Sequence, residues 1–297
     1  MTSYRDVYYA SPDGLRLHAR DYGDQQARLA VLCLHGLSRN ARDFEQVAER
    51  LAPHFRVIVA EQRGRGLSAY DPKPENYHPG LYVPDMIALL DHLHLARVAI
   101  IGTSMGGLMA MIMAAGWPDR IAGVVVNDIG PEVAVGGLLR IQSYIDREAR
   151  VANWDDAVED VRGLFSGAFP RYELADWQRV ARQLYAENER GVPVLDFDPA
   201  IADNFRHLEP QALNIWPVFD AMPKIPFGLV RGKLSELLTP AIMAEMLKRR
   251  PDIVTAEIDD AGHAPTLDEA PARAVIDKVL ALAEAGAVPA SEAPQLL

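Results

Sequence analysis

The stretch that most constrains the fold is an apolar run over residues 98–101 that continues into Gly-Thr-Ser-Met-Gly at residues 102–106. This pattern predicts a strand that passes through a sharp turn into a helix over residues 108–115. The two glycines remove the side chains that would clash across so tight a bend. Ser104 lies at the apex of the turn, so we expect its hydroxyl to project at the carboxyl end of a sheet.

Strand and helix patterns alternate on both sides of this turn. Such alternation indicates right-handed crossovers and a mainly parallel sheet, preceded here by a hairpin over residues 5–21. The predicted strands cover residues 28–34, 55–60, 122–126, 226–232 and 253–258. The predicted helices cover residues 43–52, 84–95 and 268–285, with a further helix that starts near Thr239-Pro240. Pro84 is expected in the first turn of its helix, where proline is tolerated.

The alternation breaks between residues 132 and 223, where the sequence is helical, rich in aromatic residues and without a convincing buried strand. We interpret this segment as a helical cap inserted after the strand that ends near Val126. The chain therefore divides into a core of residues 1–131 and 224–285 and a cap of residues 132–223. Residues 286–297 are rich in Ala, Pro, Ser and Glu, and we expect this tail to be mobile.

Composition narrows the classes of function. The formal net charge of −11 over 297 residues should repel nucleic acid and acidic membranes. No apolar run approaches the roughly 18 residues of a membrane span, and the start of the chain lacks a signal segment, so we expect a cytoplasmic protein. Cys33 is the single cysteine and lies in an apolar run, which excludes an internal disulfide and favours a buried structural thiol.

Four motifs occur in a characteristic order: His35-Gly36-Leu37, the Gly-x-Ser-x-Gly turn, the strand exit at residues 231–236, and Gly262-His263. Together they resemble the α/β-hydrolase fold superfamily over residues 5–285, in its branch of serine-nucleophile esterases and lactonases with a helical cap. The resemblance implies an α/β fold with a mainly parallel central sheet of about eight strands, flanked by helices.

The resemblance also implies a catalytic triad in the chain order nucleophile, acid, histidine. A serine hydroxyl needs an imidazole to take its proton during attack, and a carboxylate to orient that imidazole. Ser104, His263 and Glu236 follow this order, and each comes directly after a predicted core strand. The family more often has aspartate as the acid. Asp128 is therefore the alternative, because some relatives carry the carboxylate at that position.

Further site residues follow from the same resemblance. The backbone N–H groups of Leu37 and Met105 are expected to form the oxyanion hole that stabilises the tetrahedral intermediate. Some of the cap aromatics should line the substrate pocket, with Trp154, Trp177 and Trp216 as candidates. The apolar character of the cap favours a hydrophobic acyl or alcohol group.

Two other polar clusters have simpler interpretations. The histidines of Asp91-His92-Leu93-His94 would point to opposite faces of a helix, so we expect no metal site there. We also expect that the protein uses no cofactor. Arg63 and Arg65 have two interpretations, binding of an acidic substrate and anchoring of their turn-rich loop, and the second is favoured.

Serine at the turn argues against epoxide hydrolases and haloalkane dehalogenases, which use aspartate there. The sequence predicts a serine hydrolase of small, mostly apolar esters or lactones, acting as a monomer or homodimer. A carbon–carbon bond hydrolase of ring-cleavage products, which are vinylogous diketo acids, is the first alternative. A hydrolase-derived ligand receptor with negligible turnover is the second. A purely structural protein would require neither the triad nor the oxyanion loop.

Overall fold

The computed structural model describes residues 3–133, 135–145, 149, 151–206 and 213–286. The strands are β1 (Tyr4–Ala10), β2 (Arg16–Tyr22), β3 (Ala30–Leu34), β4 (Arg56–Glu61), β5 (Val98–Thr103), β6 (Ile121–Asn127), β7 (Glu132–Val133), β8 (Tyr185–Glu187), β9 (Pro193–Leu195), β10 (Leu213–Asn214), β11 (Phe227–Gly232) and β12 (Val254–Ile258).

The helices are α1 (Glu45–Leu51), α2 (Pro79–His92), α3 (Met105–Gly116), α4 (Val135–Ile145), α5 (Trp154–Phe165), α6 (Leu174–Leu184), α7 (Asp203–Arg206), α8 (Trp216–Ala221), α9 (Pro240–Arg249) and α10 (Ala270–Ala285). Short 3₁₀ turns cover Ala41–Phe44, Pro74–Asn76, Pro118–Arg120 and Pro199–Ala202. Among the described residues, no helix combines the length and the apolarity that crossing a bilayer requires.

Eight strands form the central sheet in the order β1-β2-β4-β3-β5-β6-β11-β12. The hairpin of β1 and β2 is antiparallel and joins β4 in antiparallel register, whereas all the other neighbours are parallel. The predicted mainly parallel sheet and its edge hairpin are therefore confirmed. The carboxyl ends of β3, β5, β6, β11 and β12 meet at one edge of the sheet, where the loops that follow them can build one site.

The sheet is covered on both faces, which explains why its strands read as continuous apolar runs. In β3, Leu32 and Leu34 face one buried cluster, whereas Val31 and Cys33 face the other. Burial raises the pKa of the Cys33 thiol, which agrees with the structural role expected for this residue.

One helix boundary was wrong in the sequence-based prediction. Helix α2 begins at Pro79 rather than near Pro84, and Pro84 lies inside it. A proline in a helix interior removes one hydrogen bond and costs about 3 kcal/mol. Tyr82, Val83 and Met86 on this helix are buried in the core, and burial of side chains of this size stabilises by about 1.5–3 kcal/mol each. Packing therefore outweighs the local preference.

The segment between β6 and β11 contains α4 to α8, together with four strands of two or three residues in two small pairs, β7 with β10 and β8 with β9. These short strands were not expected. Several side chains of α4, α5 and α6 line the same cavity as Ser104, and we propose that residues 132–223 are the cap. Of the predicted mobile tail, residues 287–297 lie outside the described residues.

Candidate active site

Ser104 lies between β5 and α3 with φ +55° and ψ −118°, a conformation that a residue with a side chain rarely adopts. A Cβ atom added at Gly102 would overlap the backbone of Gly106, and one added at Gly106 would overlap the carbonyl oxygen of Leu34 in β3. The two glycines therefore allow α3 to approach the sheet closely. This approach holds the serine at the strained turn.

We expect Gly106→Ala to lower the melting temperature by at least about 5 °C, because the added methyl group must push α3 away from β3. Gly116→Ala is the matched control on the same helix, since no heavy atom lies within 4 Å of the Cβ position there. Thermal unfolding followed by circular dichroism compares the two variants. Equal melting temperatures would contradict the close approach of α3 to the sheet.

His263 lies in the loop after β12 and joins two side chains from other strands. Its Nε2 lies 2.7 Å from Oγ of Ser104, and its Nδ1 lies 2.8 Å from Oδ2 of Asp128. A carboxylate only accepts hydrogen bonds, so Nδ1 carries the proton and Nε2 accepts from the serine hydroxyl. Asn127 holds this loop, because its side-chain amide donates to the carbonyl of Pro265 over 2.8 Å. The imidazole is thereby fixed in one tautomer and one orientation.

The preference for Glu236 as the partner of the imidazole was wrong, and the alternative residue takes that position. Asp128 follows β6 with φ +58° and is fully buried. Its Oδ1 accepts the backbone N–H of Gly232 at 2.8 Å, while its Oδ2 faces His263. Both oxygens of this carboxylate therefore have partners that fix its direction.

Glu236 lies four residues beyond the end of β11, and its side chain is exposed. Both ring nitrogens of His263 already have partners, Ser104 and Asp128, so the imidazole offers Glu236 no hydrogen bond. Both carboxylates satisfy the chain order of a triad and both follow a strand. The two carboxylates differ in the direction of their side chains, and only that of Asp128 faces the imidazole of His263.

The loop after β3 is held in place by two buried side chains. Burial lowers the pKa of His35 to about 4, so its imidazole is neutral near pH 7. The backbone N–H of Gln62 donates to its Nε2 at 3.3 Å, and its Nδ1 donates to the carbonyl of Gly36 at 2.8 Å. Nε of Arg65 donates to the carbonyl of Leu37 at 2.9 Å.

These contacts bear on the predicted oxyanion hole. In a trans peptide the N–H points opposite to the C=O, so anchoring the Gly36 carbonyl on His35 turns the N–H of Leu37 the other way. Met105 is the first residue of α3, where backbone N–H groups have no partner within the helix. Leu37 and Met105 stay the predicted donors.

The loop that carries the two arginines is anchored as expected. Arg63 is buried and contacts the carboxylates of Asp13, Asp71 and Asp85. Arg65 is also buried, and its Nη1 donates to the hydroxyl of Tyr82 at 2.9 Å. The interpretation of both arginines as anchors is confirmed.

The cavity above Ser104 has a volume of about 150 Å³ and is lined by both apolar and polar residues. The apolar lining includes Ile141, Tyr144, Phe165, Phe169, Tyr172 and Trp177. The polar lining includes Ser38, Arg39, Asp43, Gln46, Arg179 and Gln183. A pocket of mostly apolar character was expected from composition. The helical spacing of Arg39 and Asp43, four residues apart after the His-Gly motif, is the signal that could have indicated the polar lining.

Of the three tryptophans proposed for the pocket, the structure brings Trp177 alone to this cavity. Trp154 donates to Glu187 and stacks under Arg182, and Trp216 donates to Glu132 and packs on Phe219. In the described part of the chain no cluster of three or more His, Cys, Asp or Glu side chains could hold a metal ion.

Comparison with known proteins agrees with this architecture. The model of a family described as "Alpha/beta hydrolase family" matches residues 31–278. A 3-hydroxybutyrate-oligomer hydrolase of Cupriavidus necator is 32% identical over 269 residues, which is 88% of this chain and 91% of the relative. A 2-(acetamidomethylene)succinate hydrolase of Mesorhizobium japonicum is 29% identical over 238 residues, covering 78% and 81% of the two chains.

Among solved structures, an α/β hydrolase from Novosphingobium aromaticivorans superposes with a TM-score of 0.88 at 40% identity. The superposition covers 95% of this chain and 99% of that chain.

Proposed function

Because this chain belongs to the α/β-hydrolase family, we propose that it is a serine hydrolase that cleaves small carboxylic esters or lactones. The observation that carries the proposal is the hydrogen-bonded line from Ser104 through His263 to Asp128. A hydroxyl, an imidazole and a carboxylate in this order are the groups that nucleophilic acyl transfer requires.

In the proposed reaction, Oγ of Ser104 attacks the ester carbonyl while its proton passes to Nε2 of His263. Asp128 stabilises the imidazolium that forms. The negative charge on the former carbonyl oxygen is stabilised by the N–H groups of Leu37 and Met105. The intermediate then expels the alcohol, which takes the proton from Nε2, and the acyl group remains on the serine.

Water completes the cycle. It attacks the acyl-enzyme and gives one proton to Nε2 of His263, and the second tetrahedral intermediate expels Oγ of Ser104, which recovers that proton. The carboxylic acid leaves and the serine hydroxyl is restored. For a lactone, the alcohol and the acid are parts of one molecule, so the product is a hydroxy acid.

The size of the cavity supports a small substrate. A protein cavity of about 150 Å³ holds a group of the size of benzene, and the cavity above Ser104 has a similar volume, so it can enclose one short acyl or alcohol group of a substrate. The activity named for the Cupriavidus necator relative supports an ester of a short hydroxy acid, since 3-hydroxybutyrate oligomers are joined by ester bonds. We therefore propose the dimer of 3-hydroxybutyrate as a representative substrate.

A substrate panel tests the proposal. We expect turnover of the 3-hydroxybutyrate dimer, of a small lactone and of p-nitrophenyl butyrate, with p-nitrophenyl decanoate at least about tenfold slower because its chain exceeds the cavity. Faster turnover of a vinylogous diketo acid than of any ester would instead favour carbon–carbon bond cleavage. Binding of these compounds without turnover of any of them would favour the ligand receptor.

A further inference from the structure

Two arginines, Arg39 and Arg179, line the Ser104 cavity, although the chain as a whole is strongly acidic. Arg39 comes from the loop after β3, and Arg179 comes from helix α6. The proposed acyl-transfer steps use neither of them. Asp43 is the only carboxylate among the described residues that line this cavity, so the basic groups outnumber the acidic ones beside the nucleophile.

The aliphatic stem of Arg39 lies near Ser104. A Cβ atom added at Gly36 would lie 3.4 Å from Cγ of Arg39 and 3.7 Å from Cβ of Ser104, so the arginine stem and the serine flank the same glycine. Nε and Nη2 of Arg39 each donate to Asp43 at 2.7 Å. Its Nη1 has no hydrogen-bond partner among the described residues. Asp43 therefore orients the guanidinium and leaves one of its edges available.

Arg179 is held on the side of helix α6. Its Nη2 donates to Asp176 at 2.8 Å, and no second carboxylate among the described residues binds this guanidinium. The helix itself is fixed to the loop of Arg39, because the carbonyl of Gln183 accepts from Asn40 at 2.9 Å and from Arg42 at 3.1 Å. The loop of Arg39 and the helix of Arg179 are thus joined by direct hydrogen bonds.

A substrate with only apolar groups would exclude water from these guanidinium edges without replacing the lost hydrogen bonds, which is unfavourable. A carboxylate would replace them with charge-assisted hydrogen bonds, and a guanidinium matches its geometry. We infer that Arg39 and Arg179 form a carboxylate-binding subsite and that the enzyme prefers esters with a free carboxylate a few bonds from the scissile carbonyl. This inference rests on the proposed function.

The test compares the 3-hydroxybutyrate dimer with its methyl ester, in which a neutral group one methyl larger replaces the terminal carboxylate. We expect the wild-type enzyme to have a kcat/KM for hydrolysis of the internal ester at least about tenfold higher with the free acid. Two variants should each lower the ratio of kcat/KM for the free acid to kcat/KM for the methyl ester at least about tenfold. They are Arg179→Gln and the double variant Arg39→Gln/Asp43→Asn. The double variant removes the ion pair without leaving an unpaired Asp43.

Arg182→Gln is the matched control. Arg182 lies on the same helix, is 60% exposed and stacks on Trp154 away from the cavity, so its variant should keep the wild-type ratio. Turnover of the methyl ester in every variant reports that the site is folded. Equal kcat/KM values for acid and ester in the wild type, or equal losses on both substrates in the variants, would overturn the carboxylate subsite. No turnover by the wild type of these two substrates, of a small lactone or of p-nitrophenyl butyrate would overturn the proposed function itself.

Discussion

Replacing Ser104 with alanine is expected to lower kcat/KM for p-nitrophenyl butyrate and for the 3-hydroxybutyrate dimer by at least about 10,000-fold. The substitution removes the only side chain of the protein that forms a bond to the acyl carbon in the proposed mechanism. The imidazole and the carboxylate stay in place in this variant, but they have no hydroxyl to activate. Steady-state hydrolysis measured by release of p-nitrophenol, and of 3-hydroxybutyrate by chromatography, gives the comparison.

The fold should be unaffected by this change. Alanine keeps the Cβ atom, so the strain of the positive φ at residue 104 is the same as in the wild type. We expect the melting temperature to change by less than about 3 °C. Hydrolysis at the wild-type rate in a folded Ser104→Ala protein would exclude an acyl-enzyme on Ser104. In that case either a different residue or a water molecule would have to be the nucleophile.

The second large effect concerns the acid. Asp128→Asn is expected to lower kcat by about 1,000- to 10,000-fold, because it disrupts the tautomer of the catalytic imidazole. The amide oxygen can still accept the N–H of Gly232, so its NH₂ group then faces Nδ1 of His263. Nδ1 must then accept a hydrogen bond, which moves the ring proton to Nε2. An imidazole with its proton on Nε2 cannot take the proton of Ser104.

Glu236→Gln is the matched control for this prediction. Glu236 is exposed and the imidazole has no free nitrogen for it, so kcat should stay within about threefold of the wild type. A pH–rate profile separates a catalytic from a structural loss, since the residual activity of Asp128→Asn should rise toward alkaline pH. A large loss in Glu236→Gln together with a small loss in Asp128→Asn would restore Glu236 as the acid.

Part of the site could be predicted because its requirements are local. The turn around Ser104 needs glycine at positions 102 and 106, and the atoms that would clash there belong to the turn itself and to the strand beside it. Buried parallel strands need continuous apolar runs, so the order of strands and helices was readable along the chain. Thr239 accepts from the backbone N–H of Ile242 and caps α9 as its position before Pro240 indicated.

The choice of acid could not be predicted in the same way. Asp128 and Glu236 follow β6 and β11, which are neighbours in the sheet, so both carboxylates start from the same edge. Asp128 and Glu236 are both carboxylates and both lie between Ser104 and His263 along the chain, so neither the chemical group nor the chain order distinguishes them. The decision depends on the backbone of Asp128, whose positive φ and hydrogen bond from Gly232 aim its side chain at the imidazole.

The mixture of apolar and charged residues that line the cavity also could not be predicted from the sequence. The aromatic content of residues 132–223 predicts an apolar cavity, yet many of these rings pack elsewhere, Trp154 and Trp216 among them. Arg39 and Arg179 are 140 positions apart and become neighbours of one cavity only when α6 docks on the loop after β3.

The sequence by itself determined the layered sheet and the turn that presents Ser104, because short-range sterics and the periodicity of burial require particular residues at particular spacings, while the resemblance to a known family singled out His263. The tertiary structure alone decided which carboxylate faces the imidazole and which charges border the cavity. Those choices depend on side-chain directions and on contacts between segments distant along the chain, and no local pattern encodes either of them.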